Sequence, residues 1–210
     1  AAEAGSEQVV ALLLGSKASV SAQDATGATP LHAAASAGHA LVVTVLLDAR
    51  AALETTTNVG MTPLHTAAGR GRAAVVDLLL QRGANVAAGP QRGGVLFAAV
   101  YGREPRVVGA LLEAAADVAA RGPNGQTIAQ AATATGVEAL LRLVVAHGAS
   151  LDQRSTAGLT CLDVALRKHA SRMAVVIQQL GGQRSCTKCS GRGKRMFAMP
   201  CLSCSHGLTA

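Results

Sequence analysis

The chain has 210 residues, of which 50% are hydrophobic and only 1% aromatic, and its formal net charge is +7. This composition excludes a disordered or collagen-like chain, and it predicts thin layers of Ala, Leu and Val side chains rather than one thick core of aromatic rings. No apolar run approaches the roughly 18 residues of a membrane-spanning helix, so no transmembrane segment is expected.

The first predicted element is a helix within residues 8–20, followed by a loop. The pattern of this segment matches only the second helix of a two-helix unit that recurs later in the chain. We therefore expect the array of units to begin in mid-repeat, with the complete helix pairs following this half-unit.

The next elements come from a clear internal repeat. Residues 27–38 read Gly-Ala-Thr-Pro-Leu-His-Ala-Ala-Ala-Ser-Ala-Gly, and a close copy follows at 60–71. The step from Thr29 to Thr62 is one period, and a period of about 33 residues is typical of a repeated helix pair. In each copy, Thr at the N-cap and Pro in the first turn predict the start of a helix. The Gly that closes each copy predicts its end, because Gly readily adopts the left-handed conformation of a C-cap.

Weaker copies continue the same pattern along the chain. They are found at 93–99, 124–136 and 158–165. The step from Thr127 to Thr160 is again one full period, but the step from Thr62 to Thr127 is one residue short of two periods. The degenerate copy at 93–99 has therefore lost a residue, which we place in the loop before it. Apolar pairs mark the second helix of each unit and begin at Val42, Val75, Val107 and Leu140.

With two intact Thr-Pro-Leu-His motifs and this period, residues 1–182 closely resemble the ankyrin family. The resemblance implies an all-α solenoid of paired antiparallel helices, about five and a half repeats long, that binds another protein. The repeats offer no nucleophile with a base in reach, so we predict that the chain is not an enzyme.

Three residues invite a chemical interpretation. In ankyrin proteins the motif His hydrogen-bonds backbone between adjacent repeats, so the resemblance implies a structural role for His32 and His65. Neither has an acidic or thiol partner at the spacing of metal ligands. Cys161 replaces the motif proline at a buried helix start, and we predict a small core residue there; the alternative is a reactive thiol.

The resemblance also implies where a partner binds, namely at the tips of the loops and on the first helices, which line a concave groove. At the matching positions of this sequence, the tips carry Met61, Asn124 and Gln126, and the groove carries Arg70, Tyr101, Arg167 and Lys168. Tyr101 is the only Tyr in the chain and is the candidate hot spot. The alternative is that it fills a local packing defect. The array shows no single-sign charge in sequence, so the charge of the partner is not predicted.

After residue 182 the helical pattern stops, and two Cys-x-x-Cys pairs follow at Cys186, Cys189, Cys201 and Cys204. Two such pairs can bring four thiolates to about 2.3 Å from one Zn²⁺ ion in a closed tetrahedral site. We therefore predict that 183–210 is a separate zinc-binding segment. Clustered pairs of this kind favour a metal site in a reducing intracellular compartment over a disulfide framework.

The first pair lies in Cys-Thr-Lys-Cys-Ser-Gly-Arg-Gly, which has the CxxCxGxG pattern and resembles the DnaJ-like single-zinc fingers of plastid assembly and thiol-exchange factors. The leading hypothesis is an interaction scaffold, as an accessory or assembly subunit of a larger organellar or photosynthetic complex. It implies a location in the cytoplasm or on the stromal side of a plastid. One alternative is a DnaJ-like chaperone or thiol–disulfide exchange factor. Nucleic-acid binding by the basic finger ranks last, because Phe197 is the only aromatic residue near it.

Overall fold

Eleven α-helices follow one another in residues 1–89 and 94–182, the part of the chain that the computed structural model describes. They are α1 Glu7–Gly15, α2 Pro30–Ala37, α3 Ala40–Asp48, α4 Pro63–Gly69, α5 Ala73–Gln81, α6 Val95–Gly102, α7 Pro105–Glu113, α8 Ile128–Thr135, α9 Glu138–Ala146, α10 Cys161–Arg167 and α11 Ser171–Gln179. A short 3-10 turn occupies Pro123–Gly125. The predicted zinc segment, 183–210, lies outside the described residues.

From α2 onwards the helices form five pairs, and α1 is the single helix of a half-unit. The first helices of the pairs stack on one another in the order α2, α4, α6, α8 and α10, and we call this layer the inner row. The outer row, which contains α1, α3, α5, α7 and α9, stacks in the same way. The predicted all-helical solenoid of about five and a half repeats is confirmed for the described residues. None of their helices is long and apolar enough to cross a bilayer.

The inner helices begin where the sequence pattern predicts. Their N-cap residues are Thr29, Thr62, Thr127 and Thr160, and all four are buried. Three of these helices have a reciprocal capping box, in which the N-cap hydroxyl and the side chain three residues later satisfy each other's backbone N–H groups. The exception among inner helices is α6, whose N-cap is Gly94 and has no side-chain cap.

Helix positions also locate the missing residue of the degenerate repeat. The step from the end of α3 to the end of α5 is a full period, whereas the step from the start of α4 to the start of α6 is one residue shorter. The deletion therefore lies between Gln81 and Val95, which confirms its predicted place in the loop before α6. Within the turns that precede α2, α4, α8 and α10, the described residues form no strand, so the tips are tight turns rather than extended hairpins.

The core is a series of thin aliphatic layers. Ala34, Ala35, Ala67 and Ala68 are completely buried in the inner row, and Val-Val or Leu-Leu pairs are buried in the outer row. Side chains this small allow helices to approach closely, because contact distance is set by the side chains at the crossing. The single aromatic ring in this core is Phe97 of α6.

Gly102, the last residue of α6, packs against the backbone of α4. A Cβ atom built on Gly102 would overlap the carbonyl oxygen of Ala68 in α4. Gly69, the last residue of α4, differs, since a Cβ there would lie 3.8 Å from the Cβ of Ala98, an ordinary contact. These two glycines are thus matched in helix position but not in surroundings.

We predict that Gly102→Ala lowers the free energy of unfolding by about 1–3 kcal/mol, because overpacking forces the backbones of α4 and α6 apart. Gly69→Ala should raise it by roughly 0.5–1 kcal/mol through higher helix propensity. Urea unfolding followed by circular dichroism measures both changes. Equal effects of the two substitutions would show that the helix contact at Gly102 is looser than described.

Candidate partner-binding surface

The residues predicted for the groove lie along one edge of the solenoid. Arg70 caps the C-terminus of α4, Tyr101 is in the last turn of α6, and Arg167 ends α10. All three are exposed, as is Lys168, which follows α10. Because the inner helices stack in register, their C-terminal ends form a continuous row that presents these side chains on a shared surface.

Tyr101 connects this row with the opposite ends of the inner helices. The residue is 52% exposed, and its hydroxyl donates a hydrogen bond of 3.0 Å to Oε1 of Gln126. Gln126 lies just before the N-cap of α8, whereas Tyr101 lies near the C-terminus of α6. The phenol side chain therefore extends along the groove from one repeat to the tip of the next, and two predicted site residues touch each other.

Two cationic side chains at this edge, Lys168 and Arg72, donate hydrogen bonds to helix-terminal carbonyls of the preceding repeat. Lys168 Nζ donates a hydrogen bond of 3.1 Å to the carbonyl of Ala134 at the end of α8. Arg72 Nε does the same for the carbonyl of Ser36 at the end of α2, at 3.0 Å. Each satisfies a terminal carbonyl that the helix itself leaves unpaired. Sequence reasoning did not single out Arg72, since its acceptor is a backbone atom in the preceding repeat.

The predicted tip residues lie at the N-terminal ends of the inner helices, about one helix length from the groove residues. Met61 is half-buried, and its carbonyl is 3.0 Å from Nε2 of His32. Asn124 is exposed in a left-handed conformation, with φ of 61°, and its carbonyl accepts a hydrogen bond from Thr156 Oγ1. The tips are thus tied to one another, and among them Gln126 reaches the groove through Tyr101.

The motif His position couples each repeat to the next. Thr29 N–H donates to Nδ1 of His32 at 3.1 Å, which leaves Nε2–H to donate to the carbonyl of Met61. Gln130 reproduces both bonds in a later repeat: Oε1 accepts from Thr127 N–H at 3.0 Å, and Nε2 donates to the carbonyl of Leu159 at 2.6 Å. The predicted structural role of this position is confirmed for His32.

His65 departs from that pattern. Its Nδ1 lies 2.8 Å from Thr62 Oγ1, but its buried Nε2 has no hydrogen-bond partner among the described residues. Burial lowers the pKa of His65 to about 4, and it also lowers the pKa of His32. In the following repeat Phe97 occupies the equivalent position, where an aromatic ring offers no polar coupling at all. Among the described residues the coupling bond expected for His65 is therefore not found, and position 93, which corresponds to Met61 in the next repeat, lies outside them.

Cys161 is completely buried at the first position of α10, and burial raises the pKa of its thiol to about 12. A thiol with this pKa is protonated at neutral pH and a poor nucleophile. The prediction of a small core residue is confirmed. In the described ranges, 1–89 and 94–182, no cluster of three or more His, Cys, Asp or Glu side chains is placed to hold a metal ion.

Comparisons with known proteins bear on this surface. A family model described as ankyrin repeats (3 copies) matches residues 1–89. No curated protein gives a significant match to the chain. Among solved structures, one similar chain belongs to the complex of a predatory endopeptidase from Bdellovibrio bacteriovorus with an immunity protein. It has a TM-score of 0.75 and 28% sequence identity, with 85% of this chain and 94% of that chain covered.

A second similar structure is the ankyrin repeat domain of Bcl-3, a member of the IkappaB protein family. Its TM-score is 0.68 and its sequence identity is 30%, with 82% of this chain and 77% of that chain covered. The likeness thus extends well beyond the segment, 1–89, that the family model matches.

The lowered pKa of His65 predicts a specific loss of stability in acid. His65 is neutral in the folded state, so its contribution is complete above pH 6.5, the unfolded value, and is lost as the pH falls from 6.5 towards 4. The total loss is roughly 3 kcal/mol. His65→Gln should reduce this dependence, because Gln cannot be protonated and Gln130 fills the same position in a later repeat. Urea unfolding of both proteins across this range measures the difference.

The free energies of unfolding of both proteins are compared with their values at about pH 8, where the imidazole of His65 is neutral in the folded and the unfolded state. Parallel stability curves for the wild type and His65→Gln between pH 6.5 and 4 would contradict the assignment.

Proposed function

Because the chain belongs to the ankyrin-repeat family, we propose that it is a protein–protein interaction scaffold that holds its partner along the C-terminal ends of the inner helices. The observation that carries this proposal is the placement of Arg70, Tyr101 and Arg167 on one exposed row. The fold is typically a non-enzymatic interaction module, in which the repeats supply a rigid surface.

The two structural neighbours support protein binding as the activity. One was solved as a complex between an endopeptidase and an immunity protein. The other belongs to the IkappaB family. Neither identifies the partner of this chain, which has to be inferred from the chemistry of its own surface.

Tyr101 has the properties of an anchoring residue. Tyr and Arg account for a large share of the binding energy at protein interfaces, since they combine apolar area with polar groups. The hydrogen bond to Gln126 fixes the phenol before a partner arrives, which reduces the side-chain entropy lost on binding.

We further propose that the cysteine-rich segment at 183–210 binds one Zn²⁺ through Cys186, Cys189, Cys201 and Cys204. Its support is the spacing of the two Cys-x-x-Cys pairs. A closed site of this kind stabilises a segment too short to form a core, as would suit an accessory or assembly subunit in a reducing compartment. The competing proposal is a thiol–disulfide exchange or chaperone factor, in which one pair cycles between dithiol and disulfide.

The partner-binding surface can be tested by combining Tyr101→Ala with Arg70→Ala. Proteins retained by the immobilised wild type are identified by quantitative mass spectrometry, and the affinity of the purified partner is then measured by calorimetry. We expect binding to weaken by more than about 1 kcal/mol, because both anchors are truncated. Far-UV circular dichroism should remain unchanged, since neither side chain is in the core.

The matched control is Arg172→Ala, which removes a cation that is 91% exposed on α11, the second helix of the last pair. Its affinity should equal that of the wild type. Equal affinity of the double variant and the wild type would move the interface to the tips or to 183–210.

The zinc proposal predicts about one zinc ion per purified chain and four thiols in 183–210 that resist alkylation until a chelator is added. Chelation should leave the helical signal of the repeats intact, because their aliphatic layers contain no cysteine except Cys161. Elemental analysis and mass spectrometry of alkylated protein provide the measurements. A metal-free protein with a stable disulfide between Cys186 and Cys189 would favour the exchange factor instead.

A further inference from the structure

In the folded repeats, most of the carboxylates named below make ion pairs or hydrogen bonds, whereas several Arg side chains do not. Four ion pairs connect residues of the outer row or its ends: Arg82 with Asp48 at 3.0 Å, Arg106 with Asp77 at 3.2 Å, and Glu138 with Arg142 at 2.8 Å and Arg172 at 3.5 Å. The hydrogen bond from Arg142 lowers the pKa of Glu138, which keeps this carboxylate charged and engaged. Asp48, Asp77 and Glu138 are thus each paired with at least one Arg side chain.

Other carboxylates are held in the loops at the opposite edge from the inner-helix C-termini. Asp24 Oδ1 accepts hydrogen bonds from Thr26 N–H at 2.8 Å and from Ala28 N–H at 2.9 Å. Asp117 accepts from Ala119 N–H at 2.8 Å, and Glu54 accepts from Asn85 N–H at 2.7 Å. These acids stabilise turns and lie away from the ends of α4, α6 and α10.

What remains at the C-terminal ends of the inner row is positive. Arg70, Arg103 and Arg167 are exposed, and no carboxylate of the described residues lies within 4.0 Å of their guanidinium groups. We call these three residues the cationic edge. The nearest acid in sequence to Arg103, Glu104, caps α7 and accepts a hydrogen bond from Arg106 N–H. Lys168 adds a further charge beside Arg167.

Arg103 occupies its place at a conformational cost. It adopts the left-handed conformation, with φ of 61°, at the repeat position where Gly38, Gly71 and Gly136 have φ of 92°, 66° and 75°. Glycine takes this conformation freely, whereas a residue with a Cβ is strained. A positive charge near a helix C-terminus interacts favourably with the helix dipole. This interaction does not require a left-handed backbone, because Arg70 caps α4 with an ordinary φ of −96°. His169 has the same conformation in the last repeat, with φ of 53°.

We propose that the cationic edge binds an extended, acidic segment of the partner protein, an inference that rests on the interaction function proposed above. Arg guanidinium groups pair with carboxylates in a bidentate geometry. The distance from α4 to α10 covers three helix spacings, roughly 30 Å at 8–10 Å each. About nine extended residues at 3.3 Å each would reach from Arg70 to Arg167. Tyr101 lies between them and contacts the backbone of the segment.

A nucleic-acid strand fits this surface less well. Single strands are held by successive aromatic side chains on which bases stack. The chain has no Trp, Tyr101 is its only Tyr, and Phe97 is buried. The cationic edge therefore matches carboxylates better than stacked bases.

The chain contains a matched pair of substitutions for testing this. Arg50 also adopts the left-handed conformation at a helix end, with φ of 64°, but it follows α3 in the outer row. Arg103→Gly and Arg50→Gly each remove one positive charge and relieve the same strain. The thermal midpoint of both variants should stay level or rise. Only Arg103→Gly removes a charge from the cationic edge.

The probe is a fluorescein-labelled peptide of alternating Glu and Ser, about twelve residues long, titrated with the full chain at low ionic strength and followed by anisotropy. We expect Arg103→Gly to weaken binding about threefold and the combination of Arg70→Ala, Arg103→Gly and Arg167→Ala to weaken it tenfold or more. Arg50→Gly should bind like the wild type, and the peptide with Gln in place of Glu should not bind. Added salt should weaken the wild-type complex.

Equal binding by Arg103→Gly and Arg50→Gly, or no binding of the peptide by the wild type, overturns the assignment of an acidic segment. Tighter binding of a labelled single-stranded DNA with the same dependence on Arg103 overturns it in favour of nucleic acid. Neither result decides the interaction function itself, because that test uses a partner isolated independently of charge and a variant that truncates Tyr101 as well as Arg70.

Discussion

Close contact between successive inner helices is the constraint on which the rest of the structure depends. Helices of 7 to 9 residues are too short to be stable alone, so each buries its apolar side against the next repeat. Ala and Gly at the crossings make the contact possible, and at Gly102 the backbone of α6 reaches the carbonyl of Ala68. This packing brings the ends of all inner helices into line and so creates the exposed row that we propose binds the partner.

The same stacking determines how polar groups are satisfied between repeats. A side chain three residues after the N-cap both completes the cap and reaches the backbone of the next repeat, and His32 and Gln130 achieve this with different chemistry. His65 and Phe97 do not make the second bond within the described residues. Tyr101 is exposed in this central part of the solenoid.

The proposed binding function depends on charged side chains that make no ion pair within the described repeats. Asp48 and Asp77 of the outer row pair with Arg side chains of the following repeat, and Asp24 stabilises a turn. Cations at the inner-helix ends either bind terminal carbonyls, as Lys168 does, or point to solvent without an acidic neighbour in the described residues. The proposed acidic partner segment would supply the carboxylates that this edge lacks.

Local signals in the sequence determined the helix pairs, their common period, the Thr caps and the loop that lost a residue, because each depends on side chains within one repeat. Candidate groove and tip residues also followed from the repeat register. Only the tertiary structure decided that Tyr101 bonds Gln126, that His65 differs from His32, and that charges scattered along the chain separate into paired and unpaired sets. These features join residues of neighbouring repeats that are far apart in sequence, and their distances are fixed by how one repeat packs on the next.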